Sequence, residues 1–465
     1  MPDVPTEQFA QTLADPRLQL AIYSATQRLI DHRAAAVAVD RLPDYQALRT
    51  RANEIKRHTI EHLDYYLEQL ESNVIAHGGK VIFCRTGDEV ADFVLGLAKE
   101  RNARLIVKSK SMTTEEIHFN DHLERHQLET VETDLGEYIL QLAHQRPYHI
   151  VAPALHMTRY DVADLFTRTL GVDKEEVPEN QTKIARATLR EKFLHADIGV
   201  TGANFLIADS GAVVVVENEG NARLSSSAPK IHIAVAGIEK LIPRAQDLAV
   251  FLNLLGRSAT GQPLTSYTSF LSGPRRTGEI DGPDEFYLVL LDNGRTKLLS
   301  DPEKRQSLYC IRCGACLNHC PVYRKIGGHN YPWVYSGPIG AIITPQFHGV
   351  AEDSWLPFAS SLCGACAEVC PVKIEIPKLL LKLRSEVTEA QRIQGSGALE
   401  RLTFWLFAWV MTHPRVYRML ASLGAKWAPV PPKVGPLKKW ASTRELPRLA
   451  PKSFHQLWGE RRGWP

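Results

Sequence analysis

Apolar residues recur at helical spacing from Arg17 to Val37 and again from Tyr45 to Leu70, with Pro43 between them. The chain before about residue 75 is therefore expected to be helical. From Lys80 the pattern shortens. Val81–Cys84, Leu105–Val107, Glu129–Thr133 and His149–Ala152 alternate with helical stretches near Glu89–Arg101, Thr114–His126 and Gly136–His144. Short strands alternating with helical patterns of this length predict a parallel sheet covered on both faces. Helices follow over Arg159–Leu170 and Asn180–Ala196. Ala203–Ala208, the turn Asp209-Ser210-Gly211 and Ala212–Val216 read as a β-hairpin, with glycine supplying the turn. Lys230–Gly237 and Phe286–Leu291 read as buried strands, the second closed by Asp292-Asn293-Gly294. The charged segment Asp301–Arg305 marks a boundary near residue 300.

Past that boundary the pattern breaks up. The 42 residues between Cys320 and Cys363 carry Gly327-Gly328, Pro332, Gly337-Pro338 and Pro345, which predicts a partly irregular excursion. Pro377 stands where a helix opens, and Leu379, Leu380, Leu383 and Val387 give that helix an apolar face. Leu402, Phe404, Trp405, Leu406, Phe407, Trp409, Val410 and Met411 are apolar on nearly every side. The run is too short to cross a bilayer, which takes about 20 residues. It must be covered by its own protein or by a partner. After Gly424, nine Lys or Arg stand against two Glu, interleaved with Trp427, Trp440, Trp458 and Trp464. That suits an arm laid on the chain's own surface or a docking surface for a partner subunit. The expected organisation is a helical extension (1–75), an α/β domain (76–300), a mostly helical cysteine-bearing domain (306–390) and a C-terminal extension (395–465).

The chemistry enters with cysteine. Seven of the eight cysteines lie within 61 residues, in two runs. The first is Cys310-x2-Cys313-x2-Cys316-x3-Cys320-Pro321 and the second Cys363-x2-Cys366-x3-Cys370-Pro371. Zinc ribbons use paired C-x-x-C knuckles, whereas this spacing suits two cubane clusters, with the pre-proline cysteine crossing to the other cluster. Cys310, Cys313, Cys316 and Cys370 are then the ligands of a first [4Fe-4S] cluster. Cys320, Cys363 and Cys366 are those of a second. Aligned on its proline, the second run has Ser360 where a first cysteine would stand. The second cluster's fourth corner is left to a serine oxygen, a water, an external ligand, or no iron at all, as in [3Fe-4S]. His319, beside Cys320, reads as a surface residue, and Cys84 as a buried strand residue.

Composition narrows the role. At 465 residues the chain exceeds one core, so two or three domains are expected. A formal charge of +3 gives no strong attraction to nucleic acid and at most peripheral membrane contact. The N-terminus shows neither a basic nor an apolar signal region, and thiolates holding iron need a reducing compartment, so the cytoplasm is expected. No G-x-G-x-x-G follows a predicted strand, and neither a P-loop nor C-x-x-C-H is present, so the sequence offers no evident nucleotide or haem site. Two smaller candidates remain. Lys108-Ser109-Lys110-Ser111, before the apparent capping box Thr113-x-x-Glu116, makes either an anion site or a solubilising turn. Glu217-Asn218-Glu219-Gly220, with Arg223 and Ser225-Ser226-Ser227 behind, makes either a substrate site or ordinary turn chemistry.

These blocks resemble a known family. Lys108–Met112, Val131–Ile139, Gly202–Phe205 and Glu217–Asn221 are similar to the lactate-utilisation (LUD) domain. Cys310–Pro321 and Ser361–Ile374 resemble its attached dicluster domain, and Leu449–Phe454 resembles its C-terminal extension. In this order they resemble the bacterial lactate-utilisation iron–sulfur protein B family over nearly the whole chain. The resemblance implies a cytoplasmic electron-transfer subunit in oxidation of L-lactate to pyruvate. It implies companion proteins A and C, an unidentified electron acceptor, and a sheet domain of the sugar-isomerase and CoA-transferase-like kind. It carries the cluster ligands onto the same seven cysteines and assigns no catalytic residue. Two rivals stand beside it. One is a catalytic subunit gripping lactate with Glu217 and the Lys108/Lys110 region; the other is a redox-sensing regulator.

Overall fold

The structure, a computed structural model, describes residues 4–393, 398–426 and 450–461. The chain divides into two compact units, one of residues 2–387 and one beginning at Thr388. In the first, the strands begin with β1 (Lys80–Cys84), β2 (Leu105–Lys108), β3 (Glu129–Glu132) and β4 (Ile198–Thr201). Then come β5 (Phe205–Ile207), β6 (Ala212–Glu217), β7 (Ile231–Gly237), β8 (Leu241–Ile242), β9 (Tyr267–Leu271) and β10 (Glu285–Leu291).

Six of these make one parallel sheet, ordered β1-β10-β7-β4-β2-β3. Alternate residues of the central strands serve different cores. Ile231, Ile233 and Val235 pack with Val90, Val94 and Phe119 on one face. Ala234 and Ala236 pack with Leu70, Val74 and Leu288 on the other. Both faces are covered, which is why β7 is apolar and buried almost throughout. A second sheet, β8-β5-β6-β9, holds the expected hairpin, with Gly211 at φ 68° in its turn. The fold is α/β, followed by a mostly helical cysteine-bearing region and further helices.

Four local expectations need correction. His149–Ala152 is an irregular loop, because the His149 ring takes the N–H groups of Val151 and Ala152 that a ladder would use. The Tyr45–Leu70 stretch is two helices, Tyr45–Glu61 and Leu63–Ala76, broken where the His62 ring bonds the His58 carbonyl. Thr114–His126 is likewise split, into Met112–Glu116 and Phe119–Arg125. Its cap is Ser111, which accepts the Thr114 N–H; the expected box partner Glu116 is instead buried against Arg295. The excursion between the cysteine runs is partly irregular, as expected, around a helix, Gly337–His348, with Pro338 in its first turn and Ile339, Ile342 and Ile343 buried.

Ile376–Ile393 is helical as expected, with Leu379, Leu380, Leu383 and Val387 buried. In the second unit, Ala398–Thr412 is a helix on which Leu402, Phe404, Trp405, Leu406, Phe407, Trp409 and Met411 are all exposed. Among the described residues, no helix is long and apolar enough to cross a membrane. Trp427, Trp440 and Trp464 lie outside the described residues.

Candidate iron–sulfur centre

The two cysteine runs fold alike. Arg312 and Gly314 take φ 59° and 72°; their counterparts Leu362 and Gly364 take 55° and 86°. Left-handed residues at these two points wind the chain so tightly that alternate thiols turn inward. The Arg312 N–H donates to Cys310 Sγ at 3.4 Å, and the Leu362 N–H donates to Ser360 Oγ at 3.1 Å. Ser360 thus holds in its run the place of Cys310 in the other. Short helices follow, Ala315–Asn318 and Ala365–Val369. Beyond them the pre-proline sulfurs accept backbone N–H groups, Tyr323 to Cys320 at 3.5 Å and Ile374 to Cys370 at 3.3 Å.

Cys310, Cys313 and Cys316 line one cavity together with Cys370 from the other run. Cys366 has Cys320 and Cys363 as thiol neighbours. Burial, then the nearby Cys370, pushes the Cys313 thiol up to about 12; burial and Cys320 push Cys366 up to about 12. Thiols packed this closely become thiolates only around positive charge, which iron supplies. Arg312 also lines the four-cysteine cavity, and its buried Nε and Nη1 have no partner. Guanidinium donors in that position fit a group rich in acceptor sulfur. Among the described residues, no three His, Cys, Asp or Glu side chains converge as one metal ion needs. A cube instead holds its thiolates around its outside. His319 is half-buried, and its Nδ1 bonds the Ala315 carbonyl.

The surroundings of the runs differ. Gly314 lies against the sheet domain, where a Cβ would stand 3.0 Å from the His149 ring; Gly364 has nothing within 4 Å. His149 Nδ1 accepts two N–H groups, so its Nε2 donates to Asn318 Oδ1 at 3.1 Å. A buried ionic chain continues the joint: Glu116 to Arg295 at 2.8 Å, Arg295 to Glu239, and Arg312 to Glu239 at 3.5 Å. The second run is held from the N-terminal helices. Arg49 donates to the Cys370 and Ala367 carbonyls, Arg33 to that of Val369, and Asn53 to that of Val372. Cys313 and Cys316 are buried, while Cys363 is exposed.

A further cavity, of about 280 Å³, adjoins the first run, sharing Arg312 and Ile150 with the four-cysteine cavity. Ser109, Lys110 and Ser111 line it, and so do Glu217 and Glu219. Lys108 does not: it is buried against Glu115 at 2.9 Å and Glu132 at 2.6 Å. Arg223 and Ser225–Ser227 also stand off the cavity. The Glu217 carboxylate accepts the Ala222 and Arg223 N–H groups, each at 2.8 Å. Lys240, which the sequence reading passed over, lines the cavity too. The available signal was a charge inside the apolar stretch Ile231–Ile242. Arg33, Arg49 and Arg312 were also passed over, and only Arg312 carried a signal, its place between two cysteines.

Matches to family models follow this architecture: a LUD domain over residues 67–291, a 4Fe-4S dicluster domain over 306–374, and "Lactate utilisation protein B, C-terminal" over 382–463. A parallel-sheet LUD domain carrying a dicluster module defines an iron–sulfur protein. Lactate utilization protein B of Bacillus licheniformis is 45% identical over 474 residues, covering 98% of this chain and 97% of that one. Its counterpart in Bacillus velezensis is 44% identical over 468 residues, covering 98% and 96%. The chain belongs to the lactate utilization protein B family. A solved structure of a DUF162 family protein from Deinococcus radiodurans aligns over 49% of this chain and 98% of that chain, with TM-score 0.29 and 12% identity.

Proposed function

We propose that this chain is an electron-transfer subunit in the oxidation of L-lactate to pyruvate, working in the cytoplasm with companion proteins A and C. Cys310, Cys313, Cys316 and Cys370 hold its first [4Fe-4S] cluster, and Cys320, Cys363 and Cys366 the second. The observation that carries this reading is the single cavity shared by three cysteines of one run and the last cysteine of the other. Iron–sulfur clusters pass single electrons. The residues supply the path: the first run is buried beside the sheet-domain cavity, and the second opens to solvent at Cys363, where an acceptor has access. The exposed apolar side chains of the helix Ala398–Thr412 support docking of a companion on that helix.

Electron paramagnetic resonance of anaerobically purified protein, with iron and sulfide assays, tests the reading. Two reducible clusters per chain are expected. Alone, the protein is expected not to oxidise L-lactate with an artificial acceptor, and to support oxidation when the companions are added. Turnover by the isolated chain would make it the catalytic subunit instead.

A further inference from the structure

We propose that the cavity beside the first cysteine run binds a small monocarboxylate bearing a hydrogen-bond donor, anchored by Lys240 and coupled through Arg312 to the first cluster. Only the coupling rests on the electron-transfer reading; the binding site stands on its own geometry.

Lys240 is 8% exposed and lines the cavity. Among the described residues, its ammonium has neither a hydrogen bond nor an ion pair. The other buried lysines nearby are all engaged: Lys108 by Glu115 and Glu132, Lys56 by the Glu239 and Leu241 carbonyls. Half-buried Lys110 donates to the Val151 carbonyl at 2.6 Å. Glu239, next to Lys240 in the chain, gives its oxygens to Arg295 and Arg312. An unpaired buried ammonium is unfavourable by several kcal/mol unless an anion meets it. The carboxylate named among the charges that act on Lys240 is Glu239, already engaged by the two arginines.

The lining also holds acids. Asp134, Glu217 and Glu219 all line the cavity, and Glu219 has the other two as electrostatic neighbours. They repel a dianion and accept hydrogen bonds from a hydroxyl or ammonium. The volume of about 280 Å³ is below the range for drug-sized ligands. A short hydroxy acid and a short amino acid share the chemistry that suits both the ammonium and the carboxylates.

Arg312 lines this cavity and the four-cysteine cavity alike, and Cys310 is an electrostatic neighbour of Lys240. A carboxylate on Lys240 brings negative charge to the place where reduction of the first cluster also adds it. By linkage, each then weakens the other.

Calorimetric titration of the cluster-loaded protein with L-lactate, L-alanine, pyruvate or inorganic phosphate tests the site. L-Lactate or L-alanine is expected to bind, pyruvate more weakly, and phosphate not at all. Lys240→Gln should weaken binding about 10- to 100-fold, the worth of a charged hydrogen bond, and Lys240→Arg should retain most of it. No heat from either acid overturns the site, heat from phosphate alone overturns the ligand class, and unweakened binding by Lys240→Gln overturns the anchor. A redox titration followed by electron paramagnetic resonance tests the coupling. Tenfold weaker binding to the reduced form lowers the first cluster's midpoint by 59 mV at saturation and leaves the second in place. Equal movement of both midpoints, or of neither, overturns the coupling. A chain without clusters overturns the electron-transfer reading and the coupling, while calorimetry still decides the anion site.

Discussion

Arg312 and Leu362 share a left-handed backbone and the same N–H bond to the residue two places before, yet their side chains meet different worlds. Arg312 is buried against Glu239, with Tyr335 4.5 Å from its guanidinium, at the edge of the sheet-domain cavity. Leu362 precedes the exposed Cys363, and its run is held at Ser360, whose carbonyl accepts from Arg384 at 2.9 Å, and beyond Cys366 by arginines from the N-terminal helices. One local design therefore stands in two different settings. The repeat dictates how thiols gather; the neighbours dictate what each gathering faces.

The largest expected effect breaks the crossing of the two runs. Cys370→Ala should remove the first cluster and Cys320→Ala the second, each lowering iron content by about half for a pair of four-iron centres. Loss of the second cluster's spectrum in Cys370→Ala would mean that each run serves itself.

Glycine comes next. At Gly364 an alanine meets only the cost of positive φ, about 1–2 kcal/mol. At Gly314 it also overlaps the His149 ring and Val151, at 3.0 and 3.1 Å, which adds about 1–3 kcal/mol. Denaturant unfolding should rank Gly314→Ala as the more destabilised; equal losses would mean that the sheet domain does not brace the first run.

How much of this was legible depends on the range of the forces involved. The parallel sheet was readable because burial on both faces makes β7 and β10 apolar at nearly every position. The meeting of Cys370 with Cys310, Cys313 and Cys316 in one cavity was readable because spacing and proline are local signals. The strand expected at His149–Ala152 failed because one side chain took the ladder's donors, which no periodicity records. The role of Lys108 was misassigned because Glu132, its partner, lies on the neighbouring strand. Arg33 and Arg49 looked like ordinary helix surface, since the carbonyls they bind lie more than 300 residues away in the chain.

His149 gives the first run a pH dependence that the second lacks. Burial, with Lys110 adding to it, pushes its imidazole down to about 3, against an opposing bond to Asn318. The unfolded chain, with an ordinary histidine near 6.5, then binds more protons between those values. Stability is complete above about 6.5 and is lost as pH falls, by up to about 1.4 kcal/mol per unit for this group. His149→Gln should shallow the acid limb of an unfolding profile by one proton; an unchanged slope would remove His149 from the account.

Ser360 sets the smallest effect on stability and the finest test of likeness between the runs. Its oxygen accepts the Leu362 N–H at 3.1 Å as the Cys310 sulfur accepts that of Arg312, so it holds in its run the place that Cys310 holds in the other. Ser360→Ala removes one half-buried hydrogen bond, about 1 kcal/mol in unfolding. A purely structural serine would show that loss and nothing else. A serine facing iron would also change the second cluster's resonance and midpoint while the first stays fixed, and Ser360→Cys would change them again with the fold unaltered. Spectral change confined to the second cluster is the expected outcome. An Ser360→Ala spectrum identical to the parent's would leave the backbone likeness of the two runs without a likeness in ligation.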